Sequence, residues 1–267
     1  MTAGTTATAA GPATATAHAG PSRGRPARVW VEQIMGMPVS VHVRGRDAEF
    51  GPDVDTAVAQ AFSHLRRVDA VFSAWRPDSD LRRVRRGELV ESAAHPWLAE
   101  VRALCERAEH STVGLFSATA GSGGSRVYDP TGLVKGWAVE GAARHLALAS
   151  GIAFCVNAGG DILAGTSRGA PDLGPWRIGV EDPRRRTRIA ATVELVDGGV
   201  ATSGNAARGA HIRDPRTGER VVRDGSATVT GPSLLWADIW ATATFVDPSA
   251  ALQALRRVDA AYRCLVL

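Results

Sequence analysis

Residues 129–161 read DPTGLVKGWAVEGAARHLALASGIAFCVNAGGD, and the change of texture within them decides the fold class. From about Leu133 to Ser150 the stretch predicts a helix, ended by Gly151 as a C-cap glycine. Ile152–Asn157 then predicts a buried strand, and strand-like segments continue at Trp176–Glu181, Ile189–Val196 and Ala227–Thr230. A further helix is expected around Leu234–Phe245, a short one from Ser249, and a last strand through Tyr262–Leu267. Upstream, Val54, Val58, Phe62, Leu65, Val68 and Phe72 recur at helical spacing, so Asp53–Trp75 predicts a helix with one buried face. Pro96 opens another, with Trp97, Val101, Leu104, Cys105 and Ala108 on one side. Short apolar stretches flank Met35-Gly36-Met37-Pro38. Helices and strands mix without the regular alternation of a doubly wound sheet, and the expectation is an α+β fold.

The chain has 267 residues, 45% of them apolar, which is ample for a buried core. Residues 1–27, mostly Ala, Thr, Gly and Pro, predict a disordered tail, and residues 28–267 a single folded unit. Basic side chains outnumber acidic ones by 31 − 27 = 4, and Lys135 is the single lysine. Three of the arginines (Arg23, Arg25 and Arg28) fall in the first 30 residues, where no acid occurs, so the rest is nearly balanced at 28 − 27 = +1. Paired arginines such as Arg66-Arg67 and the Arg184–Arg186 run read as solvated faces. With aromatics sparse and no DNA-binding motif, nucleic acid is not an expected partner. Cys105, Cys155 and Cys264 lack CxxC spacing, which gives neither a disulfide framework nor a zinc site. No signal-peptide pattern and no transmembrane segment is read, so a cytoplasmic location is expected.

Four clusters carry chemistry. Asp129-Pro130-Thr131-Gly132 runs into a helix through Lys135; this suits an anion at a helix N-terminus, or an ordinary turn, and is not a Walker motif. Asn157-Ala158-Gly159-Gly160-Asp161 follows a buried strand and allows close approach of a ligand, or a plain hairpin. Ala201-Thr202-Ser203-Gly204 precedes His211-Ile212-Arg213-Asp214-Pro215-Arg216-Thr217-Gly218, where His and Arg suit acid–base or phosphate chemistry, or a surface loop. Asp238 and Thr242, four apart on a helix, offer two oxygen ligands to a hard cation, or an ion pair and a back-bonded hydroxyl.

Taken in order, MGMPVSVHV, FSAWRPDSDL, TVGLFSAT, DPTGLVKGWAVE, VNAGGDI, ATSG, HIRDPRTG and WADIWATAT resemble the ApbE family of FAD:protein FMN transferases over about residues 30–246. The resemblance implies a two-lobed α+β fold with FAD in the cleft between the lobes. It also implies transfer of FMN from FAD to a Thr or Ser hydroxyl of an acceptor flavoprotein, with Mg²⁺ and release of AMP. By position, Asp238, Thr242 and the Gly132 carbonyl would hold the metal. Met35, Trp75, Leu115, Phe116, Ser117, Asp129, Lys135, Ile212 and Arg213 would contact FAD. His211 would be catalytic, taking the proton of the attacking hydroxyl or holding phosphate. Against the family pattern, Ser117 stands in place of an Asp, Glu140 in place of an Asp, and Ala241 where some members carry an acid. A metal-dependent FAD pyrophosphatase and a non-catalytic FAD-binding protein are the alternative functions.

Overall fold

Both faces of the strand at the centre of that opening stretch are covered, and this organises the molecule. A computed structural model describes residues 19–20, 27–45, 51–120, 127–205, 209 and 211–267. Seven strands form one antiparallel sheet: β2 (Arg28–Ile34), β3 (Met37–Gly45), β6 (Ile152–Ala158), β7 (Asp161–Thr166), β10 (Gly198–Gly204), β11 (Ser226–Gly231) and β12 (Arg263–Val266). Their order across the sheet is β12-β11-β10-β7-β6-β3-β2. A smaller sheet joins β1 (Ala19–Gly20), β8 (Trp176–Asp182) and β9 (Arg185–Leu195), and β4 (Thr119–Ala120) pairs with β5 (Val127–Tyr128). Apart from Ala19–Gly20 and residue 27, the tail expected at 1–27 lies outside the described residues.

The helices are α1 (Pro52–Phe72), α2 (Asp80–Arg85), α3 (Trp97–Ser111), α4 (Thr131–Leu146), α5 (Leu234–Val246) and α6 (Pro248–Val258). One face of the large sheet (Val39, Val41, Val43, Phe154, Val156, Ala201, Val229) joins the helices in the main core. On its other face Cys155, Ile162, Ala164 and Val200 meet Trp176 and Ile178 of the small sheet. The alternation of Phe154 and Val156 against Cys155 is the two-residue period of a strand covered on both sides. Two stacked sheets and a helical layer result. The class is α+β, as the sequence predicts.

Several boundaries differ from the expectation. Helix α4 ends at Leu146, short of Ser150, and Gly151 stands just before β6 instead of capping the helix. Its N–H is given to the Arg168 carbonyl (2.9 Å) while the Ile152 N–H goes to Ser167 Oγ (2.9 Å). These sheet-side partners claim the backbone before a helical cap can. Helix α1 ends at Phe72, because Ser73 Oγ accepts from the Trp75 and Arg76 amides (3.3 and 3.2 Å) and turns the chain away. Strands β2, β3, β7 and β10 lacked a strong sequence signal: β3 carries Pro38, and β10 reads GGVATSG, with small residues in place of β-branched alternation.

Candidate active site

The strand ends deliver the site. Met35 and Gly36 form the two-residue turn between β2 and β3, and Gly159 and Gly160 form the turn between β6 and β7. All four have positive φ (57°, 73°, 61° and 102°), the geometry a tight hairpin turn asks for. Met35 is the costly one, since a non-glycine residue in the left-handed region is strained, and it is held there on the wall of a cleft. Pairing of Val39 with Ala158 and of Val200 with Ile162 puts both turns and the Thr202–Gly204 end of β10 at one edge of the sheet.

A cleft of about 640 Å³ opens there, between these strand ends and the helices. Helix α1 contributes Val68, Asp69 and Phe72, and the segment after it ends in Trp75, which is 91% exposed. Helix α4 contributes its first turns, with Gly132 and Lys135, and α5 contributes Asp238 and Thr242. His211 and Ile212 close the rim.

The charged centre of the cleft is a lysine between two acids. Lys135 Nζ pairs with Asp161 Oδ2 and stands 3.5 Å from Asp238 Oδ2. Both carboxylates are nearly buried, at 3% and 7% side-chain exposure, so the group as a whole carries a formal −1 in a poorly solvated place. Asp161 also accepts the Thr202 amide (3.1 Å), tying the β6–β7 turn to β10, and Thr242 Oγ1 lies 3.1 Å from Ser203 Oγ. Asp161 belongs to the cleft although the site residues expected from sequence omit it. Its signal was present in the Gly-Gly-Asp run, where it looks like any hairpin turn.

Helix α5 is aimed by Glu140 of α4. Its Oε1 accepts from Ser233 Oγ (2.7 Å) and from the Leu235 amide (3.0 Å), and Ser233 Oγ accepts the Trp236 amide (3.3 Å). This is a helix N-cap supplemented by a carboxylate from a neighbouring helix. It fixes Asp238 one turn further along, opposite Lys135. Asp129 meanwhile starts α4, accepting the Thr131 amide (3.1 Å) and pairing with Arg85 (3.4 Å).

In the His211 loop, Ile212 is 8% exposed and packs with Ala227 and Phe245. Arg216 pairs with Asp214 (2.8 Å) and Asp247 (3.2 Å), and the Gly218 amide returns to the Asp214 carbonyl (2.8 Å). The loop is therefore anchored while His211 stays exposed, its Nδ1 2.9 Å from the Gly209 carbonyl. A carbonyl only accepts, so Nδ1 is the donor in that contact, and in the neutral ring Nε2 is the accepting nitrogen.

Of the residues expected at the site, the cleft wall contains Met35, Trp75, Asp129, Gly132, Lys135, His211, Ile212, Asp238 and Thr242. Four others stand outside that wall. Leu115 and Phe116 are core residues, at 1% and 5% exposure; Phe116 supports the site from behind, 3.5 Å from where a Cβ on Gly132 would lie. Ser117 Oγ is engaged by Glu109 (3.2 Å) and Thr119 (3.0 Å). Arg213 donates to the Gly218 carbonyl (2.8 Å) and braces its own loop. Among the described residues, no three His, Cys, Asp or Glu side chains form a metal cluster. The oxygen-bearing side chains of the cleft include the carboxylates of Asp161 and Asp238 and the Thr242 hydroxyl, with Gly132 in the same wall, and this chemistry fits a hard divalent cation.

The ApbE family model matches residues 35–127 and 123–266. The chain belongs to the ApbE family. Solved ApbE structures share the fold. The ApbE protein of Thermotoga maritima superposes with a TM-score of 0.72 at 21% identity, covering 90% of this chain and 94% of the other. The apo form of a Pseudomonas stutzeri flavinyl transferase ApbE gives 0.70 at 22% identity, over 91% and 94%. The flavin transferase ApbE from Vibrio cholerae gives 0.68 at 20% identity, over 90% and 97%. Among curated proteins no match was found. No helix among the described residues is long and apolar enough to cross a membrane.

Proposed function

We propose that this ApbE-family chain is an FAD:protein FMN transferase that moves FMN from FAD onto a Ser or Thr hydroxyl of an acceptor flavoprotein, with Mg²⁺. The observation that carries the reading is the convergence of Lys135, Asp161, Asp238, Thr242 and His211 on one cleft large enough for a dinucleotide-sized ligand. The names of the structural relatives, flavinyl and flavin transferases, support it.

In this reaction the acceptor oxygen forms a bond to the FMN phosphorus, the bond from that phosphorus to the bridging oxygen breaks, and AMP leaves with the bridging oxygen. His211, whose Nδ1 faces the Gly209 carbonyl, presents Nε2 as the nitrogen that accepts the hydroxyl proton. Lys135 sets a positive charge against the pyrophosphate, and the exposed Trp75 and the strained Met35 offer apolar surface to the rings. Mg²⁺ would be held by Asp238, Thr242 and the Gly132 carbonyl, with Asp161 beside them, and would neutralise charge on the phosphates. The chain's own contribution is chiefly alignment of the phosphorus, the hydroxyl and the proton acceptor.

Incubation with FAD, Mg²⁺ and a Thr-bearing acceptor should give protein-bound flavin fluorescence that survives denaturation. FMN and AMP formed at the same rate without an acceptor would select the pyrophosphatase instead. Flavin transfer that persists unchanged in Asp238→Ala would remove the metal assignment.

A further inference from the structure

A second hollow, of about 340 Å³, lies where α1, α3 and α4 meet, and it shares no lining residue with the cleft. Small-molecule sites run to about 300–1,000 Å³, so its size suits a ligand smaller than a dinucleotide. Four rings line it: His64 of α1, Trp97 of α3, and Trp137 and His145 of α4. Ring centroids lie 5.3 Å apart for His64 and Trp97, 5.3 Å for Trp97 and Trp137, and 5.8 Å for His64 and His145. The wall is therefore aromatic and continuous. Leu148, 80% exposed, marks its open side.

Two observations distinguish this hollow from a packing gap. His64 is only 8% exposed, and its buried Nε2 has no hydrogen-bond partner among the described residues. A side chain at position 141 would collide with that ring, and the glycine there leaves the imidazole its place. A buried polar atom left unpaired costs about 1–3 kcal/mol, which a polar group entering the hollow would offset. The second observation is charge. Arg144 belongs to the wall, and the charges of Arg144 and of Arg67 on α1 act on both His64 and His145. Glu100 opposes them from α3, but its carboxylate accepts from Trp137 Nε1 at 3.0 Å. Flat aromatic faces beside an excess of guanidinium charge match a flat anion.

We propose that this hollow binds a small planar aromatic acid, its ring against Trp97 and Trp137 and its carboxylate against Arg144 and His145. Ring contacts of this kind add about 0.5–1.5 kcal/mol beyond the area they bury, and a guanidinium fork matches a carboxylate. Burial and the two arginines disfavour the charged form of His64 and His145 while the hollow holds no anion. His95, stacked on Trp97 at 4.3 Å, and Glu100 face the rings from the α3 side. A bound carboxylate favours the charged imidazole, so binding draws in a proton at the half-buried His145 and strengthens as pH falls. The site stands apart from the transferase cleft, and its test is independent of that reading.

The test is calorimetric titration of the full-length chain with 1-naphthoate, cyclohexanecarboxylate and 1-naphthylmethylamine. Naphthoate should bind one to one, and the non-planar acid and the aromatic cation at least tenfold more weakly. The Kd for naphthoate should rise at least threefold from pH 6 to pH 8, with proton uptake on binding. Arg144→Glu should raise that Kd at least tenfold, whereas Trp75→Ala, in the wall of the other cleft, should leave it unchanged. Naphthoate that fails to saturate at millimolar concentration, or an amine that binds as tightly, overturns the proposal. An unchanged Kd in Arg144→Glu also overturns it, and a Kd raised by Trp75→Ala alone places the acid in the cleft instead. A Kd independent of pH removes His145 from the site and sinks the assignment of the carboxylate.

Discussion

Lys135 is the one lysine in the chain, and its surroundings explain why an arginine would not replace it. An ammonium is a compact charge that fits between Asp161 and Asp238, whereas a planar guanidinium needs a wider slot. Removing it leaves two nearly buried carboxylates facing one cleft with their shared cation gone. Loss of one partner of such a buried pair costs about 3–5 kcal/mol, less whatever solvent the cleft admits. Lys135→Met should therefore lower the thermal midpoint in metal-free buffer, and millimolar Mg²⁺ should recover more of the loss than it adds to the unaltered protein. Equal midpoints for the two chains without Mg²⁺ would show that the lysine does not hold the acids together. At this scale the sequence was uneven in what it disclosed. Asp238, Thr242 and His211 stood in distinctive motifs, while Asp161 sat in a Gly-Gly-Asp turn whose role depends on β10, some forty residues away, closing over it. Leu115, Phe116, Ser117 and Arg213 also stand in such motifs, yet lie outside the cleft wall. A motif shows that a stretch is near the site, but which side chain of the stretch turns inward is settled by packing, as with buried Phe116 behind Gly132.

Helices α4 and α5 carry the two sides of the charged centre, so the distance between them sets the site. They are closely apposed at Gly136, where an added Cβ would lie 2.7 Å from Leu235 Cα and 3.1 Å from its nitrogen. Those are backbone atoms and cannot rotate aside. Gly136→Ala gains about 1 kcal/mol of helix propensity but forces the helices apart, and overpacking of this kind typically costs about 1–3 kcal/mol. The expected outcome is a net loss in the urea midpoint together with weaker Mg²⁺ binding, because Lys135 and Asp238 move with their helices. A variant as stable as the parent would mean the interface can relax, and the close approach would have no consequence. Element identity was readable where periodicity was strong, as in α1 and the Leu133 helix. Where small residues serve close packing, as in Gly199 of β10, which faces Leu234, the same economy erased the strand signal.

Across the whole molecule, three histidines are held in places that disfavour their charged form, and this sets how stability responds to acid. Burial pushes the imidazole of His42 below its ordinary range, and burial together with the charges of Arg67 and Arg144 does the same for His145. His64 is the extreme case. It lies on α1 facing α4, 8% exposed, with Trp97, Trp137 and His145 rings 5.3, 6.2 and 5.8 Å away, and its buried Nε2 has no hydrogen-bond partner among the described residues. Burial first, then His145, Arg67 and Arg144, lower its pKa from 6.5 to about 4. Glu100, which lines the same hollow, is engaged with Trp137 Nε1 at 3.0 Å. An unfolded chain takes up a proton at His64 near pH 6.5, while the folded chain resists until about pH 4. The unfolded state thus binds more protons in that window, and stability must fall as pH drops through it. The expected loss from His64 is on the order of 2 kcal/mol between pH 6.5 and 4, with His42 and His145 adding in the same direction. Urea unfolding of the parent and of His64→Leu at half-unit steps of pH isolates the His64 share. The leucine chain should lose less stability across the window, and parallel curves would show that His64 is not neutral in the folded protein at pH 6.5. Since α1 and α4 also form the cleft wall, acid that loosens this packing should reduce FAD binding over the same range before the chain unfolds.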